Sequence, residues 1–268
     1  MRVNETQLRG AMVGLSRRLW ERGWVANHDG NISTRLQRDR VLCTPTGESK
    51  AVIKSEMLLI VDGSGEVVSG RLRPFSELAL HRAWYRARAD VMAVVHAHSP
   101  VATAFGVAGR ELPHPFLPEA VVSLGPEIPT VPLTLPGPDA VSAIEPYLLD
   151  HDVLLLAGNG VLACGADLEQ AYLRLELVEH LALIAREAEQ LGGVQQLPPE
   201  HLGKLLDARK RAGLGPEARA ERAAVDAVAR RLAARRDAAE AKSKISATET
   251  PEELSELVRA EIQRVLGR

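Results

Sequence analysis

The chain has 268 residues, of which 46% are hydrophobic and 25% are charged, and its formal net charge is -2. This length and composition predict a globular protein with one sizeable core and room for a small appendage. The near-neutral charge gives no reason to expect nucleic acid or an anionic membrane as the main partner.

Three further features predict a cytoplasmic protein. The two cysteines, Cys43 and Cys164, lie in apolar stretches and make no disulfide framework. The opening residues, MRVNETQLRG, lack the basic and apolar pattern of a signal peptide. No apolar run approaches the roughly 20 residues that a membrane-spanning helix needs.

The first half of the chain alternates between helix and strand. Apolar residues at helical spacing predict a helix from about Thr6 to Gly23, followed by the turn-rich stretch HDGNISTRL. Short strands are predicted at RVLCT, MLLIVD and EVVSG, and an amphipathic helix opens at Ser76. That helix runs into the apolar strand of VMAVVHAHS, and a further helix is expected to begin near Pro100.

The second half continues this alternation up to a change in composition. The stretch HDVLLLAGNGVLACG predicts two buried strands joined by a tight turn, and Asp167 can cap the long helix that follows. Because helices and strands alternate, the fold class is α/β, with a central sheet covered by helices. The composition changes after about Leu197, so we expect one domain over residues 1–197.

The remaining residues predict a helical extension in three parts. Residues 198–242 are charged and rich in alanine, and residues 243–250 look like a linker. A short amphipathic helix is expected over residues 251–268, with Thr250 as its N-cap. Its apolar residues line one face, and such a face requires a partner.

Two histidines, His96 and His98, close the apolar strand in VVHAHSP. Side chains two positions apart point to the same face of a strand. Two neutral imidazoles on one face can share a metal ion at about 2.0–2.1 Å. The alternative is a pair of histidines satisfied by hydrogen bonds in the core, and the motif alone leaves both interpretations open.

Other polar motifs indicate a binding site when they are combined with the histidines. Glu77 occupies the first turn of the helix that Ser76 caps, where it can complement the helix dipole, coordinate a metal or act as a general base. The turn DGNIS can present backbone N–H groups to an anion, and Thr46 and Gly47 of TPTG can form a second wall. Taken singly, each of these motifs also fits an ordinary loop.

The order of these motifs resembles the class II aldolase and adducin family, which includes aldolases of the L-fuculose-phosphate type. The motifs are DGNISTRL, TPTG, SELALH, VVHAHSPVATAFGVAG, LPEAVVSLG and VLLLAGNGVLACGADLEQAY. They recur in order over roughly residues 5 to 195. The resemblance implies a three-layer αβα sandwich with a central mixed or antiparallel sheet, usually in a homotetramer with active sites at subunit interfaces.

The resemblance also implies a zinc ion held by a glutamate and three histidines. By position, Glu77, His96 and His98 match ligands, and Glu77 matches the catalytic residue that shuttles protons. The family's phosphate-binding positions match a second set: Gly30, Asn31, Thr46, Gly47 and Ser76. Such enzymes break a carbon–carbon bond of a small phosphorylated sugar through a metal-stabilised enediolate.

The chain departs from the family pattern at two positions. Asn159 stands where the third histidine is expected, and an amide oxygen is a poorer zinc ligand that shifts preference toward ions such as Mn²⁺ or Co²⁺. Phe75 replaces a serine that helps to hold phosphate, which weakens the phosphate inference. As a substitute ligand His151 lies too far along its strand, whereas His28 and His114 are freer candidates that also fit ordinary surface positions.

The leading interpretation is metal-dependent aldol cleavage of a small sugar phosphate similar to L-fuculose 1-phosphate. The alternatives are an epimerase, decarboxylase or dehydratase with related chemistry, and a non-catalytic adducin-like module with a degraded metal site. The helix expected at 251–268 resembles the encapsulation peptides that carry enzymes into bacterial microcompartments. Its expected partner is therefore a shell protein or a neighbouring subunit.

Overall fold

A computed structural model describes residues 4–36 and 39–246 of the chain. The helix expected at 251–268 and the second half of the expected linker lie outside the described residues. The chain divides into two compact units, Met1–Arg219 and Ala220–Arg268. No helix of the described ranges is both long and apolar enough to cross a membrane.

One mixed sheet lies at the centre of the first unit. Among the described residues it has eight strands in the order β4-β3-β2-β1-β5-β8-β7-β6, and β6 and β7 form its one parallel pair. In chain order the strands are β1 Asn31–Arg35, β2 Val41–Cys43, β3 Leu59–Val61, β4 Val67–Ser69, β5 Ala93–Ala97, β6 Thr130–Val131, β7 Val153–Leu156 and β8 Gly160–Gly165. The sheet confirms the predicted α/β class.

Helices cover both faces of this sheet. In chain order they are α1 Glu5–Glu21, α2 Leu78–Ala87, α3 Pro100–Val107, α4 Pro118–Leu124, α5 Pro138–Ile144, α6 Leu168–Gln190, α7 Pro199–Arg211 and α8 Gly215–Ser246. One apolar core lies between the sheet and α1, α3, α4 and α6, and the other lies between the sheet and α2 and α5. The three-layer arrangement is therefore confirmed, because each strand of the centre buries both of its faces.

The caps explain where the predicted helices begin. Asn4 accepts the backbone N–H groups of Thr6 and Gln7 at the start of α1. Asp167 accepts the N–H of Gln170 at the start of α6, as predicted for the long helix. Local hydrogen bonds of this kind are encoded within three or four residues, so the sequence pattern is sufficient to locate them.

The C-terminal helices extend further than the expected boundaries. Helix α7 belongs to the first unit, so this unit continues beyond the boundary expected at residue 197. Helix α8 continues to Ser246, through residues 243–246 of the segment expected to be a linker. The described part of the second unit, residues 220–246, is helical, and most of its described side chains are exposed.

A fully buried carboxylate anchors α7 and the start of α8 to the sheet of the first unit. Asp152 precedes β7, and its oxygens lie within 3.3 Å of four guanidinium groups, those of Arg88, Arg174, Arg209 and Arg219. Burial by itself raises the pKa of Asp152, but the four arginines outweigh burial and lower it. The carboxylate is therefore ionised, and the four guanidinium groups share it.

We expect Asp152→Asn to lower the free energy of unfolding by about 3–5 kcal/mol, because it leaves buried guanidinium groups without their shared carboxylate. Denaturant titration at neutral pH measures this loss. Asp150→Asn, at an exposed neighbouring position, is the control and should change the free energy by less than about 0.5 kcal/mol. Equal, small effects of the two substitutions would contradict the anchoring role.

The same contribution should depend on pH. Because the pKa of Asp152 is lowered in the folded protein, its stabilising contribution is complete above the ordinary aspartate pKa of about 3.9 and is lost as pH falls through the folded value. The difference in stability between wild type and Asp152→Asn should therefore shrink in acid. A stability difference between the two proteins that stays constant down to the acid transition would argue against this contribution of the ionised Asp152.

Candidate active site

The turn before β1 lies against the strand that carries the two histidines. Asn31 is the cross-strand partner of His96 in the β1–β5 pair. Gly30 has a φ of +67°, and a Cβ atom there would lie 2.4 Å from Cγ1 of Val25 and 3.0 Å from the carbonyl oxygen of His96. Glycine is therefore required for this close approach, which brings the predicted anion turn beside a predicted metal ligand.

The two imidazoles lie close together, with ring centroids 5.2 Å apart. Nδ1 of His96 is 3.0 Å from the carbonyl oxygen of Val161, and Nδ1 of His98 is 3.2 Å from Oδ2 of Asp29. A carbonyl oxygen only accepts hydrogen bonds, so in the neutral imidazole of His96 Nδ1 carries the hydrogen. Nε2 of His96 is left with a lone pair, which is the form that binds metals.

The carboxylate of Glu77 is held from two sides. Oε2 accepts the side-chain amide of Asn31 at 2.8 Å, and Oε1 accepts that of Asn159 at 2.5 Å. Oε2 also lies 3.4 Å from Nε2 of His96. Burial alone raises the pKa of Glu77, but His96 and the two amides outweigh burial and lower it to about 2. Glu77 is therefore ionised at neutral pH.

The start of α2 differs from the expectation by one residue. Glu77, rather than Ser76, is the N-cap residue, and its side chain makes no capping hydrogen bond. The carboxylate is turned instead toward the two amides. Ser76 is exposed and lines a cleft together with Glu77 and Asn159. The expected capping by Ser76 is therefore wrong, whereas its place beside the site is observed.

The donors around Glu77 fit a divalent cation. Nε2 of His96 is buried, has no hydrogen-bond partner and faces a carboxylate oxygen. Two atoms with lone pairs repel unless a cation lies between them, and burial lowers the pKa of His96, which disfavours a proton in that role. Two imidazoles on one tetrahedral ion would have centroids about 5 Å apart, close to the observed separation.

The third family ligand is not replaced by a charged or imidazole side chain. Within residues 4–36 and 39–246, no group of three or more histidine, cysteine, aspartate and glutamate side chains is arranged to hold a metal ion, the predicted set of Glu77, His96 and His98 included. His114 bonds to the carbonyl oxygen of Gly125, and His151 pairs with Glu127 at 2.8 Å. Both are engaged away from Glu77, and His28 is exposed.

Asn159 lies in the turn between β7 and β8, which packs closely on the end of β5. A Cβ atom on Gly160 would lie 2.4 Å from the carbonyl oxygen of Ala97. The ionised carboxylate of Glu77 accepts only, so Asn159 must present its amide nitrogen there. The amide oxygen, which was expected to coordinate a metal, lies on the other edge of the group.

Two further predicted anion-binding positions, Thr46 and Gly47, follow β2. The backbone N–H of Thr46 donates to the carbonyl oxygen of Arg73, and Pro45 and Pro74 form an isolated bridge between the two loops. This bridge sets Thr46 next to the segment that leads to Ser76. Gly47 follows at an exposed position with a φ of +77°.

The aromatic side chain that replaces the family's serine points into the fold. Phe75 is only 7% exposed, and its ring centroid lies 4.9 Å from that of His81 in the core between the sheet and α2. It therefore offers no polar group to an anion.

Sequence reasoning missed two charged residues near the site. Asp29 contacts His98, and Lys50 is only 2% exposed while its Nζ donates to the carbonyl oxygens of His28 and Glu48. Burial lowers the pKa of Lys50 to about 8, although Asp29 and Glu48 oppose this shift. The contacts of Asp29 with His98 and of Lys50 with His28 have no signal in the local spacing, because each joins segments that only the folded chain brings together.

Comparison with known proteins identifies the family. The family model described as Class II Aldolase and Adducin N-terminal domain matches residues 10–185. The chain is 34% identical over 176 residues to a 3-oxo-tetronate 4-phosphate decarboxylase of Haemophilus influenzae, covering 64% of this chain and 83% of that protein. It is 33% identical over 195 residues to a methylthioribulose-1-phosphate dehydratase of Granulibacter bethesdensis, covering 67% and 91%.

Solved structures agree with this match. The L-fuculose-1-phosphate aldolase of Thermus thermophilus superposes with a TM-score of 0.61 at 27% identity, covering 71% of this chain and 99% of that one. Helices α7 and α8 lie beyond the residues matched by the family model. From the matched segment and the shared fold, we conclude that this chain is a member of the class II aldolase and adducin family.

Proposed function

We propose that the chain is a metal-dependent lyase of the aldolase type that cleaves a small phosphorylated sugar similar to L-fuculose 1-phosphate. The observation that carries this proposal is the ionised, partly buried Glu77 facing the unpartnered Nε2 of His96. Such a pair is unfavourable in a core that has only a structural role, because a carboxylate and an unprotonated ring nitrogen cannot hydrogen-bond to each other. It is a suitable donor set for a divalent cation.

In this proposal Glu77, His96 and His98 hold the ion. Zinc is the leading choice, and Mn²⁺ or Co²⁺ are alternatives because Asn159 replaces an imidazole. When bound, the ion supplies a Lewis acid that polarises the hydroxyl and carbonyl oxygens of the sugar. Asn159 supports the site through its hydrogen bond to Oε1 of Glu77.

Glu77 is the proposed catalytic acid and base on an enediolate route. Its carboxylate takes a proton from a substrate hydroxyl and later returns it to carbon, while the two amides keep it in one orientation. A carboxylate with so low a pKa is a weak base. It therefore takes a proton only from a hydroxyl whose acidity is already raised.

The anionic end of the substrate is assigned to one side of the cleft. The proposed residues are Gly30, Asn31, Thr46, Gly47 and Ser76. The side-chain nitrogen of Asn31 is already committed to Glu77. We therefore expect the backbone of the turn, together with the Thr46 and Ser76 hydroxyls, to make the main contacts with a phosphate.

Two alternatives are kept because particular observations favour them. Relatives named as a decarboxylase and a dehydratase match the chain at similar identity, and fold alone does not choose among these reactions or an epimerisation. A non-catalytic adducin-like module is favoured by Asn159 in place of a third histidine. The retained Glu77 and its ionised state argue against that module.

We further propose a homotetramer located in the cytoplasm. Leu133 and Leu135 are 69% and 83% exposed, and their neighbours Thr134 and Pro136 line the cleft. Burial of these leucines against another subunit would close the cleft and remove an exposed apolar patch. The segment 248–268, outside the described residues, stays a candidate for docking on a neighbouring subunit or on a microcompartment shell protein.

Metal binding is the first test. We expect about one equivalent of zinc per chain after loading, and a loss of binding in His96→Ala, because the ion needs deprotonated nitrogen donors. Elemental analysis by mass spectrometry measures both. His180→Ala, at an exposed position on α6, is the control and should bind as wild type. A metal content below about a tenth of an equivalent per chain, with no gain on adding zinc, manganese or cobalt, would contradict the enzyme proposal.

The reaction is tested by the products. Metal-loaded protein is incubated with L-fuculose 1-phosphate, 3-oxo-tetronate 4-phosphate or methylthioribulose 1-phosphate, and the products are identified by mass spectrometry. We expect two fragments from the first compound, and a loss of at least about 100-fold in kcat/KM for Glu77→Gln. Turnover of only the second or third compound would replace aldol cleavage by decarboxylation or dehydration. No turnover of any of the three compounds would favour the non-catalytic adducin-like module.

The assembly is tested by light scattering. We expect a mass close to that of a tetramer, reduced by the double substitution Leu133→Glu and Leu135→Glu, because buried unpaired carboxylates oppose association. Leu191→Glu is the control, since Leu191 is 90% exposed at the end of α6. An unchanged mass in the double variant would contradict the proposed interface.

A further inference from the structure

A carboxylate outside the proposed ligand set contacts one of the two histidines. Oδ2 of Asp29 lies 3.2 Å from Nδ1 of His98, and Oδ1 of Asp29 accepts the backbone N–H of Ala26 at 2.5 Å. The backbone N–H of Asp29 donates in return to the carbonyl oxygen of Ala26 at 3.0 Å. One oxygen is thus fixed by the turn and the other is presented to the imidazole.

The turn that carries Asp29 is itself restrained. Asn27 has a φ of +48°, a left-handed conformation that asparagine tolerates better than most residues. Gly30 packs against the carbonyl oxygen of His96. Lys50 donates to the carbonyl oxygen of His28, the residue before Asp29. The position of the Asp29 carboxylate is therefore set by the fold rather than by His98 alone.

His98 needs such a partner more than His96 does. His96 lies within β5, is 0% exposed and bonds to a carbonyl oxygen of β8. His98 follows the last residue of β5, and its side chain is 33% exposed, so strand pairing does not fix its ring. With Asn159 in place of a third imidazole, the orientation of each remaining histidine matters more.

We propose that Asp29 is a positioning residue that holds His98 as its Nδ1–H tautomer and keeps Nε2 available as a metal ligand. The metal-binding part of this inference rests on the proposed function, whereas the choice of tautomer does not. The carboxylate only accepts, and a neutral imidazole has a single N–H. The hydrogen therefore stays on Nδ1, and a carboxylate at that atom also makes Nε2 a better electron donor.

The tautomer is measured in the metal-free protein by long-range ¹⁵N–¹H spectra at about pH 8.5, where imidazoles are ordinarily neutral. The signals of His98 are assigned by their loss in His98→Gln. We expect the Nδ1–H form in wild type. In Asp29→Asn the single amide oxygen stays with the N–H of Ala26 and the amide nitrogen faces Nδ1, so the Nε2–H form is expected there. Asp29→Ala should revert to the Nε2–H form that predominates in water. Asp150→Ala is the matched control and should leave His98 unchanged.

Zinc affinity is measured on the same variants by competition with a chromophoric chelator. Loss of a carboxylate that orients a ligating histidine typically costs about 10–100-fold in affinity, and we expect this loss in Asp29→Ala and in Asp29→Asn but not in Asp150→Ala. Circular dichroism checks that each variant is folded. If Asp29→Ala does not fold, the tautomer of His98 in wild type and the zinc affinity of Asp29→Asn still test the role of Asp29.

The possible outcomes separate the two proposals. An Nε2–H form of His98 in wild type, or an unchanged tautomer and zinc affinity in Asp29→Ala, would overturn the role of Asp29. The expected change of tautomer in a protein that binds no zinc would support positioning by Asp29 and count against the proposed function. A change of the His98 tautomer together with a loss of zinc affinity in Asp29→Ala would support both the role of Asp29 and the proposed function.

Discussion

An ionised carboxylate that is largely shielded from water has to be compensated, and Glu77 is compensated by side-chain amides from two other parts of the fold. Asn31 comes from β1 and Asn159 from the turn between β7 and β8, while His96 of β5 faces the same carboxylate with a nitrogen that has no hydrogen-bond partner. The neighbours β1, β5 and β8 stand side by side in the sheet. The glycine turns before β1 and before β8 then allow the backbone to approach β5 closely enough for these contacts.

A second buried carboxylate shows what distinguishes a binding site from an anchor. Asp152 before β7 is surrounded by guanidinium groups, which satisfy it with permanent positive charge. Glu77 faces neutral amides and an imidazole that burial keeps neutral. The first arrangement satisfies the carboxylate with cationic partners and holds α7 and the start of α8. The second leaves a lone pair opposite a negative charge, and this is the chemistry that a cation completes.

The proposed aldol cleavage has one physical requirement, which is the stabilisation of negative charge next to a carbonyl group. In the proposed site Glu77, His96 and His98 would hold the ion, and Asn159 and Asp29 contact two of them. Asn159, which replaces a third imidazole, would then orient Glu77 rather than coordinate the ion. The choice among cleavage, decarboxylation and dehydration then depends on the walls of the cleft rather than on its centre.

The sequence by itself determined the helices, the strands and the family motifs, because periodicity and caps are local properties and the motifs recur in order. It also identified four candidate site residues, which are Glu77, His96, His98 and Asn159. Only the tertiary structure decided that the amide nitrogen of Asn159 meets Glu77, that Asp29 meets His98 and that Asp152 gathers four arginines. A carboxylate accepts from any suitable donor, so its partner is chosen by the packing of distant segments and not by spacing along the chain.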